Sequence, residues 1–261
     1  MADAAVARQA HHAEVNPPSG GTTDPILRVS GLDAFYGSAH VVQNVSLTVG
    51  RECVAVMGRN GAGKTTLARA IMGLKPPRVT GSVELEDLPI LGRPSHQLSR
   101  MGLGYVPQGR RLFASLSVEE HLRVVARPGR GQPAWTTERI FALFPSLAER
   151  RNAPGDRISG GERSMLAIGR ALATNPRCLI LDEPTEGLAP TIVQRVCEAL
   201  RELARTGVAI LLIEQSLRAV EAAADRIIIL NVGCVVHEAR AANLQARPDV
   251  FENYLGVTLK S

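Results

Sequence analysis

The sequence predicts an α/β protein: a parallel-sheet core with helices on its faces, an antiparallel β layer and a helical subdomain. Three observations predict it. Residues 53–72 read as a short apolar strand, a glycine-rich loop and a helix. From Cys178 to Leu230 strand and helix patterns alternate, which implies parallel strands joined by crossover helices. Two runs on either side of the loop, Ser46–Gly50 and Gly81–Glu86, suit a half-exposed, mostly antiparallel layer.

Taken in order, residues 1–24 are small, polar and rich in proline and glycine, so a disordered tail is expected. His11 and His12 fall in it as solvated side chains. Order is expected from Ile26–Val29, and residues 25–91 hold the β layer and the first half of the core. Cys53–Met57 is short and apolar, as a buried parallel strand is. The helix that follows has good helix formers and stops at Gly73. Residues 92–172 carry more helical signals. Ser117 and Glu120 form a capping box that opens a helix to about Ala126. The loop from Arg127 to Pro133 holds glycines and prolines and is expected to be mobile. A short helix over Thr137–Phe144 is expected to end at Pro145. Residues 173–239 give strand Leu179–Leu181, helix Thr191–Arg205, strand Val208–Ile213, helix Ser216–Ala224 and strand Arg226–Leu230. Ile192, Val193, Val196, Leu200 and Leu203 share one face of the longer helix. From Ala239 to Val257 two short helices are expected.

Composition narrows the function. A chain of 261 residues can bury one large core or two modest ones. Aromatics make up only 3%, which argues against a base-stacking nucleic-acid surface. The net charge of +5 is spread along the chain, as on a solvated surface. Cys53, Cys178, Cys197 and Cys234 form no C-x-x-C pair, so neither zinc nor redox chemistry is indicated, and reduced thiols in a cytosolic compartment are expected. The apolar runs are too short to span a bilayer, and Met1–Gln9 lacks the features of a signal peptide.

The chemistry begins at Gly58–Thr66, GRNGAGKTT, with Gly58, Gly63, Lys64 and Thr65 on the defining positions of the phosphate-binding loop. Glycines let backbone amides curl round phosphate oxygens, and the helix N-terminus adds partial positive charge. Lys64 brings a full charge to the terminal phosphates, and Thr65 offers its hydroxyl to Mg²⁺. Asn60, Gly61, Ala62 and Thr66 complete the ATP-binding loop. A second element is needed to hold the metal. The apolar run Cys178–Leu181 ends in Asp182 and Glu183, where α/β sheets place ligands. Asp182 suits the metal; Glu183, pointing elsewhere, suits the general base. Ser159 and Glu162, in Ile158-Ser-Gly-Gly-Glu162, form another capping box. Gly160 and Gly161 leave the first amides of that helix bare, which makes a second anion site. A second such site is odd within one subunit and makes sense if it reaches the nucleotide of another copy; the other reading is a capped helix with no ligand.

Together these stretches resemble the ABC-type ATPases, a family of P-loop NTPases, over about residues 25–257. The resemblance implies Walker A at 58–66, Walker B at 179–183 and the signature at 158–162, which closes on the nucleotide of a second ATPase subunit. It implies that Tyr36 stacks on adenine and that Gln108, after Pro107, is the Q-loop glutamine touching Mg²⁺ and the transmembrane partner. The signature carries Ile158 and Glu162 in place of the usual leucine and glutamine. Ala189 stands at the usual D-loop aspartate, and Gln215 at the switch histidine. Glutamine cannot take up a charge, yet it can still hydrogen-bond the γ-phosphate. The set GRNGAGKTT, YVPQGRRLF, LAIGRAL, DEPTEGLAP, IEQS and Tyr254-Leu-Gly-Val257 is similar to the second ATPase subunit of branched-chain amino acid importers. Urea-importer relatives are nearly as similar. The expected cofactors are ATP and Mg²⁺. The expected partners are permease subunits, a second ATPase subunit and, indirectly, an external binding protein, at the cytoplasmic face of the membrane and with no nucleic acid. Three rivals are weaker. DNA-repair and chromosome-organising relatives need long coiled coils between their Walker motifs; ribosome-associated factors carry two cassettes; a binding module that no longer hydrolyses does not fit intact Lys64, Asp182 and Glu183. The same motor also serves export.

Overall fold

A computed structural model describes residues 24–109, 111–129 and 133–246. Residues 1–23 of the expected N-terminal tail, the centre of the 127–133 loop and Tyr254–Val257 lie outside them. Two sheets face each other. The smaller one is antiparallel, in the order β2 (Ala39–Val49), β1 (Leu27–Tyr36), β4 (Arg78–Leu85), β5 (Leu88–Pro89). The larger one runs β10 (Cys234–Arg240), β9 (Arg226–Asn231), β3 (Cys53–Met57), β8 (Ala209–Ile213), β7 (Cys178–Asp182), β6 (Leu103–Val106). Its strands are parallel except for β10 at the edge.

The central strands have no polar side because both faces are covered. β3, β7 and β8 are buried at every position. Successive side chains point to opposite faces, so each strand feeds two cores. Cys53, Ala55 and Met57 join Leu179, Leu181, Ile210 and Leu212 in one core. Val54 and Val56 join Ile180, Leu211 and Ile228 in the other, beneath the antiparallel layer. Helices α6 (Gly160–Leu172) and α7 (Pro190–Arg205) cover the first core. Helix α1 (Lys64–Ile71) lies in the second. The two sheets are also joined by a buried ion cluster. Arg226 on β9 binds Glu238 on β10, Glu52 just before β3 and the carbonyl of Thr48 on β2.

Several elements differ from the sequence reading. Ser46–Gly50 is only the end of a longer strand, β2, whose first half is too exposed to alternate cleanly. Strand β6 sits inside the stretch read as helical, between α2 (Ser95–Met101) and α3 (Val118–Arg123). It is four residues long and contains a glycine, so no period shows. Pro145 does end α4 (Thr137–Leu143), and it also starts α5 (Pro145–Glu149), because proline fits the first position of a helix. No α-helix opens at Ala239, where the first of the two C-terminal helices is expected. Instead β10 runs to Arg240 and a 3₁₀ turn spans Ala241–Ala246. Nearly every residue of β10 is half-buried, which erases the alternation that marks a strand. Helix α8 (Leu217–Ala223) completes the crossover into β9.

Candidate nucleotide site

The phosphate-binding sequence forms the turn from β3 into α1. Two of its glycines are required by close neighbours. A Cβ on Gly58 would stand 2.3 Å from the carbonyl oxygen of Leu230 at the end of β9. Gly63 has φ +104°, where a side chain is strained, and its Cβ would lie 2.9 Å from the carbonyl of Val41 on β2. The β9–β10 turn braces the loop: the Gly233 amide donates to Ala62 O at 2.9 Å, and Gly233 O accepts from the amide of Gln43 on β2. Sequence reasoning passes over this brace, although the Asn231-Val-Gly233 turn is its visible signal.

Helix α1 differs from α3 and α6 at its start. The latter two have complete capping boxes, Ser117 with Glu120 and Ser159 with Glu162. At α1 the cap is Gly63, no side chain accepts from the first turn, and no acid lies in it. This helix N-terminus is left to an anion, with its dipole favouring negative charge. Asn60 and Gly61 are exposed, Ala62 is buried and Thr66 is half-buried, on the loop and first turn as the motif requires.

Lys64 is buried and lies back along the loop. Its Nζ donates to Gly58 O at 2.9 Å and to Arg59 O at 3.3 Å, and stands 3.6 Å from Glu183 Oε1. Thr65 Oγ1 donates to Asp182 Oδ1 at 3.1 Å. Tyr105 on β6, which sequence reasoning does not single out, donates its hydroxyl to the other Asp182 oxygen at 3.3 Å. Burial pushes the Asp182 carboxyl above the usual aspartate range and Glu183 adds to the rise, while the bonds from Thr65 and Tyr105 and the charge of Lys64 oppose it. Gln108 stands with Glu183 rather than with the Thr65–Asp182 pair. Its amide donates to Glu183 Oε2 at 3.1 Å and to Glu186 Oε2 at 2.9 Å. The geometry therefore joins Lys64, Thr65, Gln108, Asp182 and Glu183 in one cluster at the C-terminal ends of β3 and β7.

The cluster fits Mg²⁺. Thr65 and Asp182 present hard oxygen donors side by side, and this cation takes one or two protein ligands plus phosphate oxygens and water. Among the described residues no three His, Cys, Asp or Glu side chains gather into an all-protein cage.

The remaining expected residues lie on other elements. Tyr36 is half-buried where β1 turns into β2, paired with Ala39. Gln215 is exposed just beyond β8. Ser159, exposed, caps α6; its hydroxyl accepts from Glu162 N, and Glu162 Oε2 accepts from Ser159 N. Gly160 is exposed, but Gly161 is buried, and its Cβ would meet Ile192 of α7 at 2.6 Å. Glycine at that position serves helix contact rather than bareness. The four cysteines are free, and burial pushes the Cys178 thiol up to about 12, so its thiolate is suppressed.

The family described as ABC transporter matches residues 42–186. The high-affinity branched-chain amino acid transport ATP-binding protein BraG of Pseudomonas aeruginosa is 37% identical over 233 residues, covering 88% of this chain and 100% of that protein. The lipopolysaccharide export system ATP-binding protein LptB of Escherichia coli K12 is 33% identical, over 88% of this chain and 97% of its own. The Nod factor export ATP-binding protein I of Rhizobium meliloti is 38% identical over 82% of this chain and 64% of its own. Among solved structures, the ADP conformation of an ATP-binding cassette of an ABC transporter superposes with a TM-score of 0.76 at 25% identity, over 90% of this chain and 100% of that one. A loop built for phosphate, acids at the strand tips and end-to-end likeness to such cassettes lead to one conclusion: the chain belongs to the ABC transporter family, as an ATP-binding subunit with ATPase activity.

Proposed function

We propose that this ATPase energises an importer of branched-chain or other hydrophobic amino acids, with urea or short amides as the alternative cargo. Glu183, held between Lys64 and Gln108, is the observation that carries the mechanism. The loop amides and the α1 N-terminus take the ATP phosphates, and Lys64 supplies fixed charge to the terminal ones. Thr65 and Asp182 would hold Mg²⁺, which when bound would offset phosphate charge. Phosphates compete with Glu183 for Lys64, so ATP releases the carboxylate. Glu183 then accepts a proton from water as its oxygen attacks the γ-phosphorus, and the bond to the β–γ bridging oxygen breaks to leave ADP. Gln108 orients Glu183 and Gln215 reaches the γ-phosphate. Tyr36 stacks on adenine. Ser159, Gly160 and Glu162 serve the nucleotide of a second ATPase subunit, and Gly161 lets α6 pack on α7 behind them.

The cargo reading rests on the match with BraG, 37% identical over its full length against 33% for LptB, and on the motif set; the exporter relatives share the motor. Its partners are two permease subunits, a second ATPase subunit and an external binding protein, with this chain on the cytoplasmic face of the membrane. No helix among the described residues is long and apolar enough to cross a membrane.

Glu183→Gln is expected to keep ATP binding and to lose about 10²- to 10⁴-fold in turnover, the range for a general base. Turnover close to the parent overturns the assignment. For cargo, vesicles carrying the chain with its permease subunits and binding protein should take up leucine with ATP. Uptake of urea alone overturns the amino-acid reading.

A further inference from the structure

Two buried polar side chains outside the site just described converge on the peptide that carries Glu183. Glu183 has φ +49°, the left-handed region that a side chain makes costly. Such a conformation persists only where its surroundings hold it, and here three successive residues are tied. The Glu183 amide donates to Ile213 O at 2.9 Å. Pro184 O accepts from Ser164 Oγ at 3.0 Å. The Thr185 amide and hydroxyl both donate to Glu214 Oε1, the amide at 3.1 Å. Ser164 and Glu214 are each 2% exposed.

Each tether reaches a second part of the machinery. The other oxygen of Glu214 accepts from the amides of Gln215 at 3.1 Å and Ser216 at 3.3 Å. One carboxylate thus fixes both the tip of β7, with Glu183, and the tip of β8, with Gln215. Ser164 belongs to α6, five residues beyond the Ser159 cap. One hydrogen bond thus ties that helix to Pro184.

We infer that Ser164 and Glu214 are positioning residues for ATP hydrolysis: their hydrogen bonds hold Pro184 and Thr185, and so keep Glu183 in the left-handed conformation that aims its carboxylate. This rests on the reading of Glu183 as general base. Ser164 carries a second consequence. The helix whose Ser159 end is proposed to meet a second subunit's nucleotide also holds the peptide of the base, so the two roles meet on one element.

The test measures kcat and KM for ATP, with melting curves, on the full chain. Ser164→Ala and Glu214→Gln are each expected to lower kcat at least tenfold with KM within about twofold of the parent. Added to Glu183→Gln, either change is expected to cause no further loss, because a positioning residue has nothing left to position. Ser164→Cys keeps the volume and weakens the donor, and it replaces Ser164→Ala if that variant does not fold. Parent-like kcat in the folded Ser164 and Glu214 variants, with Glu183→Gln inactive, overturns the inference alone. Equal further loss in the Glu183→Gln background overturns it too, since that marks a general structural defect. Parent-like turnover in Glu183→Gln overturns the base assignment, and the inference with it.

Discussion

Replacing Arg226 with methionine tests the ion cluster between the two sheets. Methionine keeps much of the apolar stem and removes the charge. The guanidinium side chain is 12% exposed, and the Glu238 side chain facing it is 7% exposed. Glu52, at 32%, reaches water and loses little. Burial works against the Arg226 charge, but Glu52 and Glu238 outweigh it and hold the group above its ordinary range. Removing the cation strands Glu238 in the interior, and breaking such a pair costs about 3–5 kcal/mol. At roughly 2–4 °C per kcal/mol for a domain of this size, Tm should fall by about 6–20 °C. Circular dichroism at about physiological ionic strength measures it, without nucleotide. Adding Glu238→Leu should recover most of the loss, since a buried pair replaced by apolar groups is often neutral. A single variant melting within about 2 °C of the parent, or a double variant falling as far as the single, refutes the reasoning.

Three further outcomes are expected. Ser159→Arg puts a bulky cation on the α6 cap, so it should abolish ATP-dependent dimerisation in size-exclusion chromatography and hydrolysis with it; unchanged behaviour in both assays removes the shared-site reading. Gln215→His keeps a side chain able to hydrogen-bond the γ-phosphate, and turnover should stay within a few-fold of the parent; collapse to background shows that position to be misassigned. Asp182→Asn bears on pH. The folded Asp182 binds its proton more tightly than its ordinary value of 3.8, so the parent loses stability as pH rises from about 4 through the raised folded value. The Tm advantage of the nucleotide-free Asn variant should therefore grow as pH rises through that window, and a constant difference contradicts the direction of the shift.

The parts legible in the sequence are those whose cause is local. A strand buried on both faces announces itself as Cys53–Met57 or Cys178–Leu181, and capping boxes at Ser117 and Ser159 are written three residues apart. Half-buried strands are not legible. β10 has no contrast between its faces, and β6 is too short to show a period. The first half of β2 is visible only from its pairing with β1. In the site, Lys64, Thr65, Asp182 and Glu183 are carried by motifs, so spacing alone finds them. Tyr105, Ser164 and Glu214 act through partners 77, 20 and 29 residues away, and no local pattern encodes those meetings. The family resemblance puts Gln108 at the metal; in this structure its amide meets Glu183 and Glu186, 75 and 78 residues away, a meeting no local pattern shows.

The brace between Gly233, Ala62 and Gln43 bears on whether this phosphate loop can be transplanted. Nine residues contain the chemistry, but the atoms that limit Gly58 and Gly63 belong to Leu230 and Val41, far away in the chain. A graft of residues 58–66 into another strand–helix junction carries the glycines and leaves their walls behind. The loop is then free to sample many shapes, and its affinity for phosphate falls by the fraction of time spent outside the cradle. The smallest portable unit is the loop together with the Val232–Gly233 turn and the Val41–Gln43 stretch of β2, three pieces from three distant parts of the sequence.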